Sequence, residues 1–196
     1  VATGGKVYQL LACPFDAMGA AMATYCGQNV GAGRLDRLRQ GVRSCSLLGL
    51  GYSAAAFVGM FFFAPQSAML FLSSSEPQLE TLVGLTSQYI VAQAAFFFPL
   101  ALVNILRFSI QGMGFGAFAI LAGVLEMIAR TAVGRLFVPA AGYTAACFAS
   151  PAAWILADLF LIPACLGCIA YLKRRNPTAS LETISRAMTK IKPSKA

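Results

Sequence analysis

Gly27-Gln-Asn-Val-Gly-Ala-Gly-Arg-Leu-Asp-Arg-Leu-Arg-Gln-Gly41 separates two long apolar runs in the first third of the chain. Gly31 and Gly33 can take positive φ, so a helix can end there and the chain can turn sharply. Asp36 then falls in the first turn of the next helix, where the helix dipole favours an anion. The stretch also carries Arg34, Arg37 and Arg39, with Arg43 just beyond it. Because short cytoplasmic loops carry the excess of Lys and Arg, this pattern predicts a cytoplasmic hairpin between two membrane helices.

The composition of the whole chain agrees with a membrane location. Of its 196 residues, 58% are hydrophobic and 11% are charged, whereas a soluble domain has about 25% charged residues. The net charge of +8 is concentrated in loops and in the C-terminal tail, which suits anionic lipid headgroups better than nucleic acid. We therefore expect an all-α, polytopic bundle whose partner is the lipid bilayer, with no nucleic-acid partner.

The apolar runs predict about five membrane helices, which form one unit over residues 1–175. These helices are expected at residues 7–30, 38–72, 79–111, 115–138 and 145–172. A second basic cluster, Lys173-Arg-Arg175, ends the last of them. An even number of crossings between the two clusters places both in the cytoplasm. The cytoplasmic tail, 176–196, is either a short amphipathic surface helix or disordered.

Three acids lie at apparent membrane depth, and each is a candidate for binding a coupling ion. They are Asp16, Glu126 and Asp158. Glu126 lies four residues before Arg130, in the order that favours an ion pair on one helix face. This pair is either purely structural or holds Glu126 ionised until a proton or sodium ion competes for it. Asp158 has no basic partner on its own helix, and Asp16 lies nearer the outer surface, where a structural role is favoured.

Three polar residues of the third predicted helix recur at helical spacing and are candidates for a substrate cavity. They are Gln93, Asn104 and Arg107, although such side chains more often hold helices together or extend to the interface. Cys165 and Cys168 have the spacing of a redox motif, but an apolar helix keeps thiols protonated and inert. We expect packing residues there, with no metal site, disulfide or catalytic residue. The absence of histidine also argues against an intramembrane enzyme.

Three motifs together resemble the multidrug and toxic compound extrusion (MATE) transporters. The hairpin resembles a signature that follows the second helix of each MATE lobe. Its matching residues are Gly27, Gln28, Asn29, Gly31, Ala32, Gly33 and Arg37. The run Asn104–Gly114 resembles the end of the fourth helix of a lobe, and residues 142–154 resemble the start of the last helix. The resemblance covers residues 7–175.

This resemblance implies a function and a partner. MATE proteins export small cationic or amphiphilic compounds across the cell membrane in exchange for sodium ions or protons, by rocking two lobes around a central cavity. The chain is expected to correspond to helices eight to twelve, with the N-terminal lobe as its partner and no cofactor besides the transported ion. The alternative is a flippase for a lipid-linked oligosaccharide or peptidoglycan precursor, whose cavity needs several basic residues to bind pyrophosphate. A purely structural membrane subunit remains the third possibility.

Overall fold

The computed structural model describes residues 2–69 and 79–175 and shows six α-helices within them. The predicted tail, 176–196, lies outside the described residues. The helices are α1 (Ala2–Gly31), α2 (Asp36–Met69), α3 (Leu79–Ala95), α4 (Phe97–Gly112), α5 (Gly116–Leu136) and α6 (Val138–Arg175). The predicted all-α class is therefore confirmed.

Helix α4 lies at the centre of the bundle and packs against α1, α2, α5 and α6. Its buried side chains include Phe97, Ile105 and Ile110. Phe15 of α1 meets Phe97 edge to face, with ring centroids 5.5 Å apart, and Trp154 of α6 is 2% exposed. Apolar side chains of the neighbouring helices pack around α4. This packing fixes the positions of the polar side chains of α4 relative to those helices.

The single helix predicted over 79–111 is wrong, because the chain breaks at Phe96 into α3 and α4. The two halves are bent by 51°. Pro99 explains the position of the break: it has no N–H to donate to the carbonyl of Ala95, so a helix that passes through this turn is kinked or broken there. In the observed arrangement Pro99 falls in the first turn of α4, where the N–H groups have no helical partner in any case.

Within residues 2–69 and 79–175, three helices are long and apolar enough to cross a membrane, and the bent pair α3–α4 makes a fourth if it is one span. The three are α2, α5 and the part of α6 from Gly142 to Arg175. Helix α1, predicted as the first membrane helix, is 30 residues long but is not among the candidate spans of the described residues. Gly142 has a non-helical conformation inside α6, between the helices predicted at 115–138 and 145–172.

Helices α1 and α4 end in the same way, each just before a connection that contains a positive-φ glycine. Gly33 has φ 68° and Gly114 has φ 91°. Arg34 N–H donates to the Asn29 carbonyl over 2.8 Å, and Phe115 N–H donates to the Ile110 carbonyl over 3.0 Å. These are Schellman endings, in which a positive-φ residue lets the chain satisfy the last helical carbonyls. Positive φ was predicted for Gly31 as well, which is wrong, since α1 continues through that residue.

The two basic clusters lie at the same end of the bundle. Gly27, near the hairpin, packs so closely on α4 that a Cβ atom there would lie 3.4 Å from the Gly112 carbonyl oxygen. Phe115, just after α4, packs edge to face on Tyr171, with centroids 5.8 Å apart. Tyr171 is two residues before Lys173. The hairpin and the basic end of α6 therefore both lie next to the connection between α4 and α5.

Candidate functional site

Glu126 of α5 forms the centre of a buried charge cluster. The residue is 9% exposed. Arg107 of α4 donates through Nη2 to Glu126 Oε1, and Arg130 donates through Nη2 to Oε2 over 3.3 Å. The Arg107 side chain is 24% exposed and that of Arg130 is 48% exposed. Because a less solvated pair is screened less, Arg107 is the stronger partner of this carboxylate.

Asp158 of α6 is the second buried acid, and it has no ion pair with the described residues. The residue is 7% exposed, and its Oδ1 has no hydrogen-bond partner among the described residues. Arg107 Nε is also buried without a partner there. The Arg107 guanidinium bonds to Glu126, so the buried carboxylate of Asp158 is left with an unsatisfied oxygen in this part of the chain.

The predicted Glu126–Arg130 pair is present, and it is the weaker of the two ion pairs that Glu126 makes. The hydrogen bond from Arg107 to Glu126, which joins two helices across 19 positions of the chain, was not predicted. A signal was available: Arg107 is a cation at membrane depth, and such a side chain requires an anion or an interface. Which anion it contacts depends on how α4 and α5 pack.

Gln93 does not join this cluster but bonds to α6. Its Nε2 donates to the Cys147 carbonyl over 3.0 Å. Pro151, four residues after Cys147, has no N–H, so the Cys147 carbonyl has no helical partner. Gln93 satisfies that carbonyl directly, while its own Oε1 has no partner among the described residues. The proline at 151 was the sequence signal for this contact.

The predicted substrate-cavity residues therefore have different partners. Asn104 Nδ2 donates to the Leu100 carbonyl of its own helix over 3.3 Å, and Arg107 bonds to α5. Gln93 lies on the other side of the break at Phe96. The structure brings Arg107, Glu126 and Arg130 into one hydrogen-bonded set and leaves Asp158, Gln93 and Asn104 outside it.

Asp16 lies on α1 and is exposed on the surface of the bundle. It makes no ion pair with the described residues. Asp16 thus differs in exposure from the two buried acids. The structural role that the sequence favours for it stays a prediction. In the residues that the structure covers, no three His, Cys, Asp or Glu side chains come close enough to hold a metal ion.

The hairpin motif builds the turn and not the charge cluster. Asn29 is 8% exposed, and its Nδ2 donates to the Tyr25 carbonyl over 2.8 Å. Ala32 N–H donates to the Gln28 carbonyl over 2.9 Å. The side chains of Gln28 and Arg37 are exposed. Cys165 and Cys168, by contrast, are free thiols in the apolar core.

A comparison with protein-family models gives one match, to MatE, over residues 1–136. It includes the hairpin motif and the run Asn104–Gly114, and it ends before the third motif at 142–154. No significant match was found among curated proteins or among solved structures. The family match covers well over half of the chain, and the helices have the length and apolarity of a multi-pass membrane protein. The chain therefore belongs to the MatE family, whose members are membrane transporters and not enzymes.

Proposed function

We propose that this chain is the C-terminal part of a cation-coupled multidrug efflux antiporter, with Glu126 and Asp158 as its contribution to ion coupling. The observation that carries the proposal is the contrast between two buried acids: Arg107 bonds to Glu126, whereas the Oδ1 atom of the buried Asp158 has no partner among the described residues. An unsatisfied carboxylate oxygen in a bundle that crosses lipid is a place for a proton or a sodium ion.

The mechanism follows from the balance of charge in the cluster. With both acids ionised, two carboxylates face two guanidinium groups, but both arginines bond to Glu126. A proton or sodium ion that binds Asp158 neutralises its charge. Asp158 then no longer attracts Arg107, and the Arg107–Glu126 pair stays intact. Loss of that ion restores the attraction between Arg107 and Asp158. Arg107, Glu126 and Asp158 lie on α4, α5 and α6, respectively. Ion binding can therefore alter the packing of these three helices.

Alternating access requires a second body against which this bundle can rock. We propose that the N-terminal lobe of the same protein supplies it, with a cavity for small cationic or amphiphilic substrates between the two lobes. Gln93, Asn104 and Arg107 remain candidates for lining that cavity. Asp16 remains a weaker candidate for ion coupling, on an exposed face of α1.

The proposed orientation in the cell membrane rests on the two basic clusters. The α1–α2 hairpin and the end of α6 share one end of the bundle, and positively charged ends of membrane helices are retained in the cytoplasm. We therefore assign the hairpin and the tail after Arg175 to the cytoplasmic side.

The charge cluster favours the antiporter over the lipid-precursor flippase. A flippase needs several free cations in its cavity to hold pyrophosphate. Arg107 and Arg130, the cations at the depth of the buried acids, are both bonded to Glu126. An anion that entered this site would compete with a carboxylate that is already in place.

The test is transport by the full-length protein in proteoliposomes loaded with a fluorescent cationic dye. We expect dye movement that depends on an opposing sodium or proton gradient, and we expect the double variant Glu126→Gln, Asp158→Asn to lose that dependence. Glu80→Gln is the matched control, since it removes an exposed acid to which no role in coupling is assigned and should retain most of the transport. Gradient-dependent efflux that survives in the double variant would exclude these two acids from coupling. Transport of a labelled lipid precursor with no dye transport would support the flippase instead.

A further inference from the structure

An open groove of about 550 Å³ lies between α1 and α2, beside the hairpin. It is separate from the charge cluster of α4 and α5 and from Asp158 of α6, since its lining residues include none of these. Its wall on α2 is formed by Arg37, Gln40, Gly41, Ser44, Cys45 and Leu48. These positions follow one another at intervals of three and one, so they form a single face of the helix.

The polarity of the groove changes along its length. Arg37, Gln40 and Ser44 lie toward the hairpin, and Cys45 and Leu48 lie deeper along α2. The distance along the helix axis from Arg37 to Leu48 is about 16 Å at 1.5 Å per residue. This is about half the ~30 Å thickness of the hydrocarbon core. On α1 the order is the same, with Tyr25 near the hairpin end and Met22 deeper. The groove is polar at its interfacial end and apolar toward the bilayer centre.

Tyr25 is held in place as the floor of the polar end. Its hydroxyl donates to the Arg37 carbonyl over 3.2 Å. Gly41 lies directly under its ring, so that even a Cβ atom at this position would overlap the ring. The absence of a side chain at 41 thus lets the ring of Tyr25 rest on α2. The polar end of the groove is formed before any ligand binds.

The charge at this end is positive and uncompensated. Arg37 makes no ion pair with the described residues, and Arg34, Arg39 and Arg43 lie in the same hairpin region. Asp36 is the only acid among them, and it does not line the groove. A guanidinium with free donors pairs well with a phosphate.

We propose that this groove binds one anionic glycerophospholipid of the adjacent leaflet. Its phosphate contacts Arg37, its polar headgroup lies near Gln40, Ser44 and Tyr25, and an acyl chain follows α2 toward Leu48. Charge complementarity selects the phosphate, and the apolar half of the groove selects a lipid over a free anion. This inference is independent of the transported substrate and of the coupling ion.

The experiment is a lipid titration of the full-length protein in detergent, read by native mass spectrometry. Dioleoylphosphatidylglycerol is compared with dioleoylphosphatidylcholine. We expect one phosphatidylglycerol molecule to bind roughly tenfold more tightly than phosphatidylcholine, and Arg37→Ala to weaken it about tenfold, the effect of one lost charge-assisted hydrogen bond. Arg39→Ala is the matched control, because Arg39 is an exposed arginine of the same helix that does not line the groove; its effect should stay below about twofold.

Two further measurements keep the result decisive. Ser44→Trp fills the groove without changing its charge and should also abolish the preference for phosphatidylglycerol. Inorganic phosphate at millimolar concentration should not displace the bound lipid. Equal weakening by Arg37→Ala and Arg39→Ala, or equal binding of the two lipids, would overturn the proposal in favour of general attraction to the basic hairpin. Full displacement by inorganic phosphate would show an anion site that does not need the acyl chain.

Discussion

Glu126 and Asp158 are two buried acids in one bundle, and their surroundings differ. Glu126 on α5 has an arginine on each carboxylate oxygen. Asp158 on α6 has a similar exposed fraction, 7% against 9%, but keeps Oδ1 without a partner among the described residues. Burial alone thus does not define the role of an acid in a membrane bundle. The difference lies in the partners: Glu126 joins α4 to α5, whereas one oxygen of Asp158 has no partner among the described residues.

The two acids differ because of what each helix supplies. Helix α5 provides Arg130 one turn after Glu126, so this acid has a cation whatever α4 does. The basic residues of α6 are at its end, in Lys173-Arg-Arg175, about four turns from Asp158. Asp158 therefore has no basic residue within about three turns on its own helix, and Arg107 of α4 is bonded to Glu126.

The largest effect is expected when Glu126 is replaced. Glu126→Gln leaves Arg107 and Arg130 without their anion inside the bundle, and removal of one member of a buried pair leaves an uncompensated charge. The free energy of unfolding should fall by about 3 kcal/mol. Reversible unfolding in detergent micelles measures it. Glu80→Gln, which removes an exposed acid from the first turn of α3, is the control and should change stability by about 0.5 kcal/mol or less. Equal losses in the two variants would show that the cluster does not stabilise the bundle.

A smaller effect on stability is expected at Asp158. Asp158→Asn removes a charge whose desolvation is not offset by a hydrogen bond at Oδ1, so the free energy of unfolding should change by less than about 1 kcal/mol. The same unfolding assay measures it, and the dye assay of the full-length protein should show loss of gradient dependence. A destabilisation as large as that of Glu126→Gln would mean that Asp158 is a structural ion-pair partner, and the contrast between the two acids would disappear.

The smallest effect is expected at Arg130. Its side chain is 48% exposed and its Nη2 lies 3.3 Å from Glu126, so Arg130→Gln should cost about 0.5 kcal/mol, as is usual for a solvated pair one helical turn apart. Unfolding at low and high salt checks the origin of this cost, because screening should reduce it. Arg135→Gln in the last turn of α5 removes an exposed arginine that has no ion pair with the described residues, and it is the control. A cost above about 2 kcal/mol for Arg130→Gln would make it, and not Arg107, the principal partner of Glu126.

Most of the helical architecture could be predicted from local signals. The hairpin from Gly27 to Gly41 contains both a helix ending and a helix start, and Gly33 ends α1 as its position predicts. Arg130 follows Glu126 by four residues, so their contact follows from the geometry of one helix. The break at Phe96 was missed because Pro99 allows either a kink in a continuous helix or a new first turn. Packing of the flanking helices selects between these two outcomes.

The candidate site could be predicted only in part, because its central contact is not local. Glu126 and Asp158 were identified as acids at membrane depth and Arg107 as a polar residue of the third predicted helix, and these predictions need only hydropathy, charge and helical spacing. The partner of Arg107 could not be identified, since it is an acid on another helix and any buried acid was possible. Likewise, Gln93 was identified as polar and buried, but its bond to the Cys147 carbonyl needs α3 and α6 side by side.

The amino-acid sequence by itself determined that this chain enters a bilayer as helices, where the glycine turns lie and which charges are forced to lie at depth. These properties depend on solvation and on neighbours within one or two turns, and both can be read along the chain. Only the tertiary structure decided that α4 is central, that Arg107 bonds to Glu126 of another helix and that Asp158 has an oxygen without a partner among the described residues. Those outcomes depend on which helix faces meet, and lipid-facing and core-facing apolar residues have the same composition.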